Sequence, residues 1–170
     1  MSSSLMLHPS GNLSAIHPQQ IFVRPIAGAS VAIGDIVRFD ITANASLSAY
    51  TDWSKLEDFD DPKCPFNVVV LSGAAGTGNE GGVWGVVTEA AAAGNRCTVC
   101  IHGIVTAKVT AAAALEYGRT LLPAASNVLE VATTGNHPVV AVLVDAVAGA
   151  ITAQPRKVWF NGYQFGSSAG

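Results

Sequence analysis

A mainly β fold, a compact barrel or sandwich of short antiparallel strands with an extended amino-terminal arm and one short helix, is what this sequence predicts. Three observations carry that expectation. Apolar and polar residues alternate at the two-residue period of half-buried strands, as in Val37, Phe39 and Ile41 against Arg38 and Asp40. The candidate strands are short and rich in Val, Ile and Thr, and turn residues separate them throughout. At 170 residues the chain fits one domain, or one domain carrying an arm.

The elements follow in order. Residues 1–26 read as the arm, because His8-Pro9, His17-Pro18 and Arg24-Pro25 each discourage helix at the residue before proline. Leu5, Leu7, Leu13, Ile16, Ile21, Phe22 and Val23 are scattered along it, which a purely solvated tail would not need. The barrel domain then spans 27–170. Its expected strands are 37–41, Val68 to Leu71, Val83 to Thr88, Cys97 to Ile101 and Ile104 to Val109, the last two broken by Gly103. Arg119 to Leu122, Val128 to Val131, Val139 to Val144 and Lys157 to Phe160 complete the set. Between Thr110 and Gly118 the alanine run predicts two turns of helix, capped at either end by those residues. Residues 42–66 form an irregular insertion holding five of the twelve acids (Asp52, Glu57, Asp58, Asp60, Asp61) among Tyr50, Trp53, Phe59 and Phe66.

Composition narrows the function. Charged residues are 12% of the chain, against roughly 25% in an ordinary soluble domain. So little charge points to surface buried against other subunits. Net charge is −3, and the nine Lys and Arg residues are scattered, so nucleic acid is not an expected partner. No run of about 18 strongly apolar residues predicts a membrane span. Met1 to Leu7 lacks the basic-then-apolar order of a secretory signal. Three cysteines do not make a disulfide framework, which suits a reducing compartment.

Apparent chemical motifs fail on spacing or context. Gly76-Thr77-Gly78-Asn79-Glu80-Gly81 matches a dinucleotide fingerprint, but strand-like sequence follows where a helix must receive the pyrophosphate. Cys97 and Cys100 have zinc-knuckle spacing, yet on a strand residues three apart point to opposite faces. The acidic run Asp58 to Asp61 lacks the alternation and glycine of a calcium loop. His8, His17, His102 and His137 show no ligand spacing, and no G-x-S-x-G elbow is present. No catalytic residue, metal ligand or cofactor site is nominated, and an enzyme is not expected.

The most specific pattern is Gly85-Val86-Val87-Thr88-Glu89-Ala90, the alanine run, then Gly94-Asn95-Arg96-Cys97-Thr98-Val99-Cys100-Ile101-His102-Gly103-Ile104-Val105. With Val31-Ala32-Ile33-Gly34-Asp35-Ile36-Val37 upstream and Tyr117 to Leu122, Asn127 to Val131, His137 to Ala146 and Lys157 to Phe160 downstream, it resembles bacteriophage capsid decoration (cement) proteins. The resemblance covers about residues 27–161. Departures are His137-Pro138 at a turn usually rich in glycine, the 42–66 insertion and the arm.

The resemblance implies a virion protein made in the host cytoplasm. It would sit as a homotrimer on the outer capsid surface, with the major capsid protein as partner. Leu5, Leu7, Ile16, Ile21, Phe22, Trp53 and Phe59 are the expected capsid or subunit contacts. Two other readings remain open: a tail or head-fibre β module, and a carbohydrate-binding module stacking sugars on Trp53, Trp84, Trp159 and Tyr163.

Overall fold

The computed structural model describes residues 20–39, 68–71, 82–132 and 139–164, with backbone alone for 68–71, 82 and 163–164. They form eleven strands: β1 (Ile21–Val23), β2 (Ile26–Ala27), β3 (Ile36–Phe39), β4 (Val68–Leu71), β5 (Gly82–Glu89), β6 (Thr98–Ala111), β7 (Thr120–Ala124), β8 (Val128–Val131), β9 (Ala141–Leu143), β10 (Ile151–Asn161) and β11 (Tyr163–Gln164). The mainly β expectation holds.

Five strands close into a barrel in the order β10-β9-β7-β8-β6, because β10 also pairs with β6. The β10–β6 ladder is the longest, from Ile151 opposite Ala111 to Asn161 opposite His102. Pro155 is tolerated within it because Lys108, its cross-strand partner, turns its N–H away to Gly34 O at 2.9 Å. A second group, β6-β5-β3-β4-β2, returns to β6 through β1 and the Ile26–Arg96 bridge. Among the described residues, pairing begins at Ile21, opposite His102.

Two cores follow from the two groups. Val105, Ala107, Val109, Leu121, Leu129, Leu143, Val158 and Phe160 pack in one, with Trp84 and Cys100 joining them. Val23, Ala27, Val37, Phe39, Val87, Val99 and Ile101 pack in the other. Strand β6 serves both, and it changes phase to do so. Even-numbered Cys100 belongs to the first core, whereas from Val105 onward the odd-numbered residues do. Gly103 lies between them at φ +114°, a conformation that a side chain resists. The glycine is not the strand break the sequence suggested; it lets one continuous strand turn its apolar face over.

The expected helix at 110–118 is absent. Thr110 and Ala111 end β6, Leu115 bridges to Val147 with N–H···O distances of 2.9 and 2.8 Å, and Gly118 turns the chain at φ +80°. The helix propensity of the alanines amounts to tenths of a kcal/mol per residue, too little against tertiary pairing.

Candidate interaction surface

From Gly103 to Ala111 the side chains of β6 alternate, odd numbers inward and even numbers outward. Ile104 therefore emerges on the outside of the barrel, 37% exposed, directly across from Trp159 on β10 at 46%. Trp159 is in turn opposite Val142 on β9, and Val144 lies just past the end of that strand, 42% exposed. On the other side of β6, Ile21 pairs with His102 and is 42% exposed. The His102 and Trp159 rings meet edge to face at 6.4 Å, with an interplanar angle of 74°. The result is an apolar row running over β1, β6, β10 and β9. Covering the part of one such side chain that remains exposed is worth about 1 kcal/mol.

A buried carboxylate fixes the orientation of this face. Asp35 sits in the turn before β3, and its Oδ1 is 2.5 Å from Lys108 Nζ on β6. Its Oδ2 accepts from Ala32 N at 2.8 Å, and its carbonyl accepts from Val87 N at 2.9 Å. Gly34, at φ +85°, brings its N–H to Val87 O and its carbonyl to Lys108 N. A Cβ there would stand 3.2 Å from Lys108 Cγ. The Gly34-Asp35 pair is thus a turn that ties the two groups of strands together. The glycine before the acid was the available signal; its partner at Lys108, far along the chain, left none.

The sequence-selected residues fall in several places. Ile21 and Phe22 lie on β1, both exposed. Leu5, Leu7, Ile16, Trp53 and Phe59 lie outside the described residues, as do the glycine loop 76–81, the acidic run 58–61, Cys64, His8, His17 and His137. Cys97 packs in the second core and Cys100 in the first, so the pair does not converge. Each thiol is directed to a carbonyl, Cys97 Sγ to Pro25 O at 3.6 Å and Cys100 Sγ to His102 O at 3.2 Å. Burial pushes both thiols above the usual cysteine value. Of the aromatics considered for sugar stacking, Trp84 is buried in the barrel core and offers no open face, while Trp159 does. Ile104, Val142 and Val144 were missed as surface residues because alternation shows that a strand has two faces, not which one closes inward.

No protein-family model matches the chain, and no curated protein matches its sequence. Among solved structures it is similar to the amino-terminal base of the head fibre protein gp8.5 of bacteriophage phi29. The two share 9% identity at a TM-score of 0.50, over 88% of this chain and 100% of that one. At that identity the likeness is one of fold: the chain shares the strand architecture of a head-fibre base.

Proposed function

We propose that this chain is a structural protein of a phage head that binds the outer capsid surface and stabilises the lattice as a decoration or cement protein. In this reading its partners are the major capsid protein and further copies of itself, as a homotrimer, and it has no catalytic role. The fold it has in common with the phi29 head-fibre base is the observation that carries the reading. Two features support it. The chain is poor in charge, and an outward apolar row with a half-exposed tryptophan suits contact repeated across many copies. A second reading, the base of a head fibre, is favoured by the same likeness.

Co-sedimentation with purified phage heads that lack the protein tests both. The chain should pellet with the heads and saturate at a fixed ratio; a chain left in the supernatant at every concentration contradicts the proposal. Image reconstruction of decorated heads then separates the readings, since a cement protein gives low, lattice-wide knobs and a fibre base gives projecting density.

A further inference from the structure

Among the described residues, strand β6 has a short stretch of open edge. Along β10 its ladder is continuous from His102 to Val109. On the opposite edge β1 stops at Ile21, across from His102, and β8 meets the strand at Val109. Alternation turns the main-chain groups of Ile104, Thr106 and Lys108 toward that gap. Lys108 N donates to Gly34 O there, and Ile104 O accepts from the side-chain amide of Gln20. Thr106 stands between them, exposed, and among the described residues neither its N–H nor its carbonyl is paired on this edge. A recess of about 280 Å³ opens over it, lined by Gln20, Ile33, Thr88, Ile104, Thr106 and Lys157. Ile33, at the tip of the 32–35 turn, is 61% exposed on its rim. An unpaired edge flanked by apolar side chains is a template for an added strand.

We propose that this gap is an acceptor slot for the amino-terminal arm, residues 1–19, of a second copy of the chain, which adds to β6 as a short extra strand across Thr106. The inference rests on the self-association in the reading above. Gln20 lies outside the β1 ladder, and its side chain, not its backbone, takes Ile104 O. The 19 residues before it reach about 63–68 Å when extended, enough to cross to a neighbouring subunit. They carry Leu5, Leu7, Leu13 and Ile16, apolar anchors of the kind that the exposed Ile33 and Ile104 would accept. Backbone pairing would supply the attachment and these side chains the register.

Variants with one introduced cysteine test this in the full-length chain on a Cys64→Ser background, where the remaining Cys97 and Cys100 are buried. Ile16→Cys protein mixed with Thr106→Cys protein should give a disulfide-linked heterodimer on mild oxidation, because only an arm from another copy joins the two. A mixture that stays monomeric, while the double variant closes a link within one chain, overturns the proposal. Hydrogen exchange at the Thr106 amide gives a second readout that needs no engineered thiol. Deleting residues 1–19 should speed exchange there at least tenfold and lower the solution mass; unchanged exchange at Thr106 also overturns it. Head binding measured in parallel separates the two claims. Heads bound by protein that fails to cross-link remove the slot alone, and cross-linked protein that ignores heads removes the capsid role alone.

Discussion

In the first part of β6, Val99, Cys100 and Ile101 are all buried, because both faces of the strand meet a core. In the second part, from Gly103 to Ala111, burial alternates and the even-numbered residues look outward. One strand therefore does two jobs: its beginning is a wall between two cores, and its end displays a surface. The difference teaches where sequence change should be costly. Near the wall any added atom meets packed backbone, whereas on the display face side chains are free to be chosen for what they touch.

Gly162→Ala gives the largest expected effect. This residue closes the seam between the two groups of strands, donating to Ile101 O at 2.8 Å and accepting from Trp84 N at 2.9 Å. An added Cβ would stand 1.9 Å from Trp84 O, a backbone atom that cannot swing away. We expect a loss of about 3 kcal/mol, from forced backbone displacement in a packed site. A urea midpoint equal to the parent's would break the view of the seam as rigid.

The wall cysteines sharpen the same comparison. Burial raises both thiols, so at pH 8 they remain protonated and shielded. Alkylation of Cys97 and Cys100 in the native protein should be slower than in the urea-unfolded chain by about a hundredfold or more, since it waits on opening of the core. The sign with pH follows. As pH rises through the ordinary thiol value the unfolded chain loses protons first, so stability falls from there upward. Rapid native labelling of Cys100 at pH 8 would mean that the first part of β6 is not the closed wall described.

How much of this was legible in the sequence depended on whether the cause was local. Period-two alternation at 37–41 and the β-branched runs gave most strands, because a strand's two faces are written in neighbouring residues. Gly103 misled, since a break and a change of phase both call for glycine, and only the partners of β6 on each side tell them apart. The 110–118 segment misled as well: its alanines favour helix weakly, and the bridge from Leu115 to Val147 outweighs that preference. For the surface, Ile21 and Phe22 stood out as apolar residues in a proline-punctuated segment. Trp159 drew notice only as a possible sugar platform. Its place beside Ile104 depends on pairing between strands about fifty positions apart, which no local pattern encodes.

The smallest effect on stability should come from the display face, and there it should have the largest consequence for assembly. Trp159→Ser with Val144→Ser removes two half-exposed side chains, and together they should cost no more than about 1–2 kcal/mol. Co-sedimentation of this folded double variant with phage heads tests the central claim most directly. Binding reduced at least tenfold, with the thermal transition little changed, is the expected result; binding equal to the parent's would contradict the assignment of this face as the contact surface.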